Sequence, residues 1–465
     1  MNKIKTTVIF LTALAMFFIA SKNSLAADYY VSPAGSASWS ACLNINTPCS
    51  WQTAMANAVA GDTVYFRGGT YDLGIFANHP SMAYAKMFPI NSGIGDPDSQ
   101  RIIFKAYTGE TPVITGTVAS NSQENYFGCG ERNYITWDGF SATFQHNFGN
   151  YESNVFSARG SYCTIKNSNF TGITFNSGIN YNSSLIRVEA CNNCLVENNQ
   201  LHDLIGGVNN VAAIWIFGNT GPNTIRNNTI TNSSGGIYAK TIYFSPKVYN
   251  NFLYNNPNGT VGSYAMRYNY QGASPSGGLT EVYQNVIIWR NTVEQSIIQL
   301  GPSFPDSNYS IYNNTIYAPT QSGSSGIILN GSLITGLQVF NNIFQSNNRY
   351  VTYASGSVSY SNNNIFYTGS LNSWVLGSNY TSLADWQATG YDLNSYVENP
   401  LFSNISGTTP ESFKINAVNK NRGRGGVYAS VMGAYITGDE IIGYRAPSGS
   451  GDTTPPASPT GLTVT

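Results

Sequence analysis

The stretch 310–316, SIYNNTI, places two adjacent asparagines between apolar residues, and this arrangement recurs along the chain. The matching segments read ITWDGF, TIKNSNF, LVENNQL, TIRNNTI, KVYNNFL, EVYQNVI, SIYNNTI, QVFNNIF and SYSNNNIF. Their first apolar positions are Ile135, Ile165, Val196, Ile225, Val248, Val282, Ile311, Val339 and Tyr360. The repetition indicates one structural unit stacked many times rather than several unrelated domains.

The spacing between successive matches varies from 21 to 34 residues. Helical repeats keep a fixed length, whereas the coils of a β-solenoid keep their strands and vary the turns between them. A second apolar strand lies upstream of most motifs and alternates with a period of two, as in LIRVE, AIWIF and GIYAK. The pattern predicts an all-β fold, a right-handed parallel β-helix.

The paired asparagines suit the sharp turn of such a coil. Asparagine tolerates φ > 0 better than any residue except glycine, and stacked amides can form hydrogen bonds from coil to coil. We expect Asn228, Asn314 and Asn342 to occupy the φ > 0 positions. Valine at these sites would then cost roughly 1–3 kcal/mol through strain, while glycine would be tolerated.

Composition narrows the class of protein. Charged residues make up 10% of the chain, against about 25% in an average globular protein. The formal net charge is −1, so no overall field attracts nucleic acid or an anionic membrane. Aromatic residues reach 13%, unlike in disordered chains. Composition therefore favours a folded β protein, with neither nucleic acid nor membrane insertion among its interactions.

The N-terminus is predicted to be an export signal. Two lysines lie within the first five residues, an apolar run spans residues 8–20, and Ser24-Leu25-Ala26 offers small residues at a cleavage site. The run is short for a membrane helix, so a cleaved signal peptide is favoured over an uncleaved anchor. We expect a protein that is secreted, or held at the cell surface or in the periplasm.

Residues 50–71, from SWQTA to AGDTVYFRGGTY, resemble the opening coil of the secreted right-handed parallel β-helix proteins of the pectate-lyase-like superfamily. Residues 399–402 (NPLF) and 431–435 (VMGAY) resemble the closing coils of the same group. The resemblance covers residues 28–446 and implies a short capping helix near residues 51–60. A cap is needed because an open terminal coil exposes a sheet edge and the end of the core.

The chain is predicted to be one solenoid with appended ends. Its last part begins with a Pro/Gly/Ser linker and then resembles the first strand of a fibronectin type III domain, either truncated or vestigial. The predicted segments are the signal peptide 1–26, the N-terminal cap and first coils 27–130, the coils and C-terminal closure 131–446, and the linker and tail 447–465.

Six cysteines suit an oxidising compartment. Cys42 and Cys49 flank a short polar loop and are expected to form a disulfide. Cys163 and Cys194 each precede a motif by two residues, so the repeat places them on strands about 4.8 Å apart, within disulfide range. A redox or metal role for the CxxC at residues 191–194 lacks a histidine or a second pair. The spacing leaves the pairing of four cysteines open: Cys129, Cys163, Cys191 and Cys194.

The second apolar strand presents two outward rows if its apolar residues point into the coil. One row is predicted to contain Arg187, Trp215, Tyr238, Arg267, Ile298 and Ile328. The other is predicted to contain Glu189, Phe217, Lys240, Asn269, Leu300 and Asn330. The resemblance implies that this strand and the loop before it line a substrate groove.

An acidic polysaccharide is the predicted partner of this groove, because aromatic rings offer faces to sugars and cations bind carboxylates or sulfates. The predicted substrate-binding residues are Arg187, Glu189, Trp215, Phe217, Tyr238 and Asn269.

Hydrolase and metal chemistry find little support in the same stretch. Residues 204–280 contain no Asp or Glu, whereas glycoside hydrolysis ordinarily needs two carboxyl groups and calcium needs six to eight oxygen ligands. The three histidines stand alone and are interpreted as structural: His79, His146 and His202. No cofactor is predicted, and calcium is an alternative without an acidic cluster to support it. The acid-free stretch contains these cations: Arg226, Lys240, Lys247 and Arg267.

A uronic-acid lyase has different needs. β-Elimination requires a base, positive charge to stabilise an enolate-like intermediate, and a proton donor for the leaving oxygen. Lys240 and Arg267 lie on adjacent coils, and a guanidinium beside a lysine lowers the pKa of its amine. They are the candidate catalytic pair of a polysaccharide lyase or uronate epimerase. The alternatives are ordinary surface charges and a non-enzymatic surface or matrix protein that binds glycans or acts as a rigid rod.

Overall fold

The computed structural model describes residues 26–74, 85–116, 124–148, 152–175, 182–205, 210–241, 244, 246–255, 264–269, 279–290, 296–301, 308–320, 326–330, 334, 336–354, 356–367 and 374–447. These residues form three sheets, A, B and C, of twelve strands each. Neighbouring strands pair in parallel, apart from the last pair of sheet C, Trp374–Leu376 with Ser378–Tyr380. Successive coils add one strand to each sheet, so the chain is a right-handed parallel β-helix, as predicted.

The strands of the three sheets follow one another in chain order. Sheet A contains Asp28–Val31, Thr63–Phe66, Ile102–Ala106, Ile135–Asp138, Thr164–Lys166, Leu195–Glu197, Thr224–Arg226, Lys247–Tyr249, Leu279–Tyr283, Asn308–Tyr312, Gly336–Phe340 and Val358–Asn362. Sheet B contains Gly69–Asp72, Pro112–Thr115, Ser141–Phe148, Asn169–Phe175, Gln200–Ile205, Thr229–Thr231, Phe252–Asn255, Val286–Trp289, Thr315–Ala318, Ile343–Ser346, Ile365–Tyr367 and Tyr396–Val397. Sheet C contains Ala85–Met87, Glu124–Gly130, Ser153–Ala158, Ser183–Glu189, Val211–Phe217, Gly235–Lys240, Tyr264–Asn269, Ile298–Leu300, Ile328–Asn330, Val351–Tyr353, Trp374–Leu376 and Ser378–Tyr380.

Alternation sorts side chains between the inside of the coil and its outer face. In sheet C, Ile214 pairs with Ile237 and Ile237 with Met266, and all three lie in the central core. Burying such a side chain contributes roughly 1.5–3 kcal/mol. The rows fix the register, because a shift of one residue would turn every apolar side chain outward.

Two short α-helices lie near the ends of the coil stack. Helix α1, Trp51–Asn57, begins at Ser50, whose hydroxyl accepts a hydrogen bond from the N–H of Thr53 (3.2 Å). This confirms the predicted capping helix. Helix α2, Leu383–Gln387, was not predicted, and its Trp386 packs in the core near the other end. The remaining helical turns are 3₁₀: Ala41–Leu43, Asp98–Gln100, Pro410–Phe413 and Val418–Asn421.

The second asparagine of the motif is buried and forms a hydrogen-bonded ladder. The Asn314 amide donates to Asn342 Oδ1 (3.0 Å) and to the carbonyl of Val282 (2.9 Å), and its oxygen accepts from the N–H (3.1 Å) and amide (3.0 Å) of Asn285. Asn364, the last residue of the ladder, donates from its amide to the carboxylate of Asp392 (2.9 Å). A carboxylate can end the ladder because it accepts hydrogen bonds without needing to donate one. The ladder runs through Asn199, Asn228, Asn251, Asn285, Asn314, Asn342 and Asn364.

The φ > 0 position belongs to the first asparagine. φ is 52° at Asn313 and 57° at Asn341. The prediction that Asn228, Asn314 and Asn342 occupy this position is therefore wrong by one residue. The left-handed residue makes the turn, and the residue after it carries the amide that bonds to the neighbouring coils.

The first asparagine has a second role, which is to hold the C-terminal segment. Residues 398–447 contain no strand and run back along the turns between sheets A and B instead of forming closing coils. The Asn313 amide donates to the carbonyl of Val431 (2.6 Å), and that of Asn198 donates to the carbonyl of Arg445 (2.8 Å). The first asparagine of the turn thus bonds to the C-terminal segment, and the second bonds to the neighbouring coils.

The predicted motif register fails at its two ends. The first apolar residues of the other motifs form one register row. Ile135 is displaced from this row by two residues, and Tyr360 is displaced by one. The observed pairs there are Ile165 with Trp137 and Val339 with Ser361. At the second end, a register irregularity between Leu337 and Gln338 accounts for the displacement.

The cysteines pair differently from the geometric expectation. The disulfides are Cys129–Cys163, with a Cα–Cα distance of 6.2 Å, and Cys191–Cys194, with a Cα–Cα distance of 6.1 Å. Cys163 therefore bonds to the preceding coil rather than to Cys194. The reason is that the strand Glu124–Gly130 of sheet C brings Cys129 within reach across the coil.

We expect Cys42 and Cys49 to form a disulfide under oxidising conditions. They are buried thiols in this structure, with their Sγ atoms 2.7 Å apart. Burial raises the pKa of Cys49, so the folded thiol resists attack and the bond should form during folding. Alkylation of the unfolded, unreduced protein followed by mass spectrometry should find neither residue modified. Two alkylated cysteines would contradict the pairing.

Several predictions from the sequence lie outside the described residues. These are the signal peptide, His79 and the fibronectin-like tail. In the part of the chain that the structure describes, no helix has the length and apolar character needed to cross a bilayer.

Candidate functional site

The outer face of sheet C brings together the predicted row residues. Arg187 pairs with Trp215, Trp215 with Tyr238, and Tyr238 with Arg267. The second row is also in register: Glu189, Phe217, Lys240 and Asn269. Beyond these coils the prediction is off by one residue, because the first row continues through Gln299 and Leu329. Four residues leave the predicted outward rows as a result: Ile298, Ile328, Leu300 and Asn330.

The aromatic residues of the site are buried rather than open to a ligand. Trp215 is 0% exposed and Tyr238 is 1% exposed. They form a cluster with Ala212 and Tyr264 that is separate from the coil core, and the half-buried Phe217 stacks on Trp215 at 5.4 Å. The prediction that Trp215 and Tyr238 offer free ring faces to sugars therefore does not hold in this structure. Alternation correctly gave the side of the sheet, but it does not determine what covers that side.

Cations lie over these buried rings. The Arg187 guanidinium lies 4.7 Å from the Trp215 ring centroid, and Lys240 Nζ lies 5.8 Å from the same ring. Arg267 lies 5.1 Å from the ring of Tyr238. A ring face attracts a cation electrostatically, by about 0.5–2 kcal/mol. The aromatic cluster is thus a platform that positions cations.

Arg187 is neutralised by two carboxylates. It forms an ion pair with Glu152 and a second with Glu189 (2.8 Å), and Arg159 also lies 3.7 Å from Glu189. Arg187 is only 3% exposed. Burial raises the pKa of Glu152, the Arg187 charge opposes that rise, and Glu189 adds to it. Arg187 and Glu189 therefore form an internal ion-pair network rather than a free anion-binding surface.

Lys240 is the half-buried amine of this site. Its Nζ donates to Asn182 Oδ1 at 3.4 Å. Burial lowers the pKa of Lys240, and the positive charges of Arg267 and Arg187 lower it further, while Glu152 opposes them. The neutral amine is consequently populated at lower pH than for a lysine in water, as a general base requires.

Sequence reasoning missed Glu152 and Asn182. Each directly precedes a strand of sheet C, and these strands, Ser153–Ala158 and Ser183–Glu189, pair in register on adjacent coils. Aligning SNVFSA with SSLIRV would have placed both residues at the same end of the site. The outward rows predicted from the sequence begin at Arg187 and Glu189, one coil after Glu152.

Two of the four cations in the acid-free stretch belong to another face. Arg226 and Lys247 lie on sheet A and form ion pairs with Glu197 (2.6 Å) and Glu281 (3.1 Å). Their partners lie just outside residues 204–280, on neighbouring strands. The candidate catalytic pair on sheet C is therefore Lys240 with Arg267.

Within the described ranges, no three His, Cys, Asp or Glu residues are grouped so that they could hold a metal ion. The carboxylates of the site, Glu152 and Glu189, are both bound by Arg187. His202 is bonded to Asp203 (2.9 Å) and Asn169 (2.8 Å) on sheet B, away from the site. The cations that lie over the aromatic cluster are Arg187, Lys240 and Arg267.

Replacing Trp215 with alanine should act mainly through the fold. It removes a fully buried ring beneath Arg187 and Lys240, so we expect a loss of about 3 kcal/mol in the free energy of unfolding. Phe217→Ala, at a half-exposed position, should cost less. Thermal unfolding together with glycan binding separates the two roles. Trp215→Ala with weaker binding and an unchanged melting temperature would instead put the ring in contact with the ligand.

No family model and no curated protein matches this chain. Among solved structures, the crystal structure of the pectate lyase Pel9A aligns with a TM-score of 0.55 and 18% identity, over 89% of this chain and 97% of that chain. A rhamnogalacturonan lyase aligns with a TM-score of 0.51 and 14% identity, over 84% and 95% of the two chains. At these identities the likeness is one of fold, and it places this chain among the right-handed parallel β-helix proteins.

Proposed function

We propose that this chain is an exported protein that cleaves an acidic polysaccharide by β-elimination, with Lys240 as the base. One observation carries the proposal: the half-buried Lys240 amine has a lowered pKa, in part through the charge of Arg267 on the paired strand of sheet C. A lysine in that setting is suited to remove a weakly acidic proton. The base and the positive charge come from the two residues that the sequence singles out.

The reaction that these groups would support is balanced as follows. Neutral Lys240 takes the proton from C5 of a uronate, and the electron pair forms the C4–C5 double bond as the C4–O bond breaks. The leaving oxygen receives a proton from solvent. Arg267, on the strand that pairs with that of Lys240, would stabilise the enolate-like negative charge that develops on the carboxylate. No metal takes part in this scheme.

Two further observations support a polysaccharide lyase. The solved structures of similar fold are named as lyases of pectate and of rhamnogalacturonan. The N-terminal sequence, with its short apolar run and small residues at a cleavage site, supports secretion or a location at the cell surface or in the periplasm. An extracellular substrate of high molecular mass would then be accessible.

Incubation of the protein with alginate, pectate and glycosaminoglycans tests the proposal. Elimination creates a conjugated unsaturated uronate, so ultraviolet absorbance should rise with one of these polymers. Binding should weaken as salt increases, because exposed charge pairs are screened over about 8 Å at physiological ionic strength. Binding without any absorbing product would favour the non-enzymatic glycan-binding protein, and no binding to any acidic polymer would overturn both.

A further inference from the structure

A cavity of about 610 Å³ opens on the outer face of sheet A, a different face of the coil from the Lys240 site. Its volume lies within the range of about 300–1,000 Å³ that is usual for ligand sites. Two register rows of the sheet line it. One row runs through Lys166, Glu197, Arg226 and Tyr249, and the other through Thr136, Thr164, Leu195 and Thr224.

The cavity is elongated along the coil stack. Each row crosses four successive strands, which are about 4.8 Å apart, so the lining extends over roughly 15 Å. Asp96, Asp98 and Arg101 lie at one end, and Tyr249 lies at the other. An extended chain of several linked units fits this shape better than a single compact molecule does.

The charges that line the cavity cancel. Three acidic residues, Asp96, Asp98 and Glu197, face three basic ones: Arg101, Lys166 and Arg226. Arg226 binds Glu197 (2.6 Å), and Arg101 binds Asp96 (2.6 Å). The lining therefore presents both donors and acceptors with no net charge, which suits hydroxyl groups because a hydroxyl both donates and accepts.

The polar walls are held in place before any ligand arrives. Arg101 is buried, and its guanidinium donates to Thr136 Oγ1 (2.8 Å) and Thr164 Oγ1 (3.1 Å). The Tyr249 hydroxyl accepts from Arg226 (3.0 Å), and the Tyr249 ring stacks on Tyr283 at 4.7 Å. Because these side chains are already fixed, binding would cost little additional side-chain entropy.

We propose that this cavity, the sheet A groove, binds a neutral segment of a polysaccharide. Sugar hydroxyls meet the paired Arg, Glu and Asp side chains, and the apolar face of one ring meets Tyr249. The groove does not depend on Lys240, so it stands whether or not the protein is a lyase. Its role is to hold the protein on a polysaccharide while the outer face of sheet C contacts another part of the same polysaccharide.

Affinity electrophoresis in gels that contain galactan, arabinan, xylan or β-glucan tests the proposal. At least one of these neutral polymers should retard the native protein. Thr224→Trp fills the groove near its Tyr249 end without removing a core residue and should weaken this retardation by about tenfold. Added salt should change it little, because the ligand is neutral and the charges that line the groove sum to zero.

Lys247→Trp is the matched control, since Lys247 follows Thr224 in the same row but lies outside the cavity. It should retain binding, as should Lys240→Ala. Melting temperatures of all variants confirm that they fold, and Glu197→Gln provides a second, milder change within the groove. Equal retardation of the native protein and Thr224→Trp, or no retardation by any neutral polymer, would overturn the proposal.

Discussion

Replacing Asn314 with leucine is expected to destabilise the protein by on the order of 5 kcal/mol, because each buried polar group left without a partner costs about 1–3 kcal/mol. The Asn314 side chain has five hydrogen-bond contacts in the coil, with its two amide hydrogens shared among three acceptor oxygens. Leucine has similar volume but can make none of them. The N–H of Asn285 loses its side-chain acceptor, and the carbonyls of Val282 and Tyr312 lose a donor. Urea unfolding followed by tryptophan fluorescence measures the loss.

Glycine distinguishes the two asparagines of the turn. Asn314→Gly should be nearly as damaging as leucine, because the ladder bonds disappear. Asn250→Gly should change the free energy of unfolding by less than about 1 kcal/mol, since φ is 54° there and glycine adopts that conformation without strain. Asn250 precedes the ladder residue Asn251. Equal effects of glycine at Asn314 and Asn250 would show that backbone conformation, and not the ladder, decides stability.

The repeat was sufficient to predict the fold, because the apolar–Asn–Asn–apolar pattern reports a turn that only a stacked coil needs. The roles of the two asparagines were assigned the wrong way round, because each position holds asparagine in seven of the nine motifs. At the exceptions, the first position holds Gly139 and Gln284, both with φ > 0, and the second holds Phe140 and Ser168. Residue type alone therefore does not show which position makes the turn and which carries the hydrogen bonds.

The candidate site was predicted in register but not in accessibility. Period-two alternation places Trp215 and Tyr238 outside the coil, and both do lie there. Their burial depends on Tyr264, Phe217 and Arg187, which come from the same and neighbouring coils. Single-strand patterns carry no information about contacts of that kind. The ion pairs of Arg187 were hidden for the same reason.

Lys240→Ala is expected to lower the rate of elimination by about 10²–10⁴-fold, the usual contribution of a general base. Binding of the acidic polymer should be largely retained, because Arg267 remains. In the native protein the rate should rise with pH as Lys240 loses its proton, and this rise should begin at lower pH than for an ordinary lysine, since burial and the two arginines lower its pKa. The variant should lose that rise. Initial rates measured across a pH series, with bound polymer quantified separately, test both statements.

Arg267→Gln provides the control that separates a base from a simple contact. Removing the guanidinium takes away one of the causes that lower the pKa of Lys240, so the pKa should rise and the pH–rate curve should move to higher pH. The movement should be partial, because burial is the larger cause and remains. The variant should also turn over more slowly at every pH, since the enolate-like charge loses its stabilising partner. Two results would assign the base to another residue. One is a pH–rate curve that does not move in Arg267→Gln, and the other is a rate that still rises with pH in Lys240→Ala.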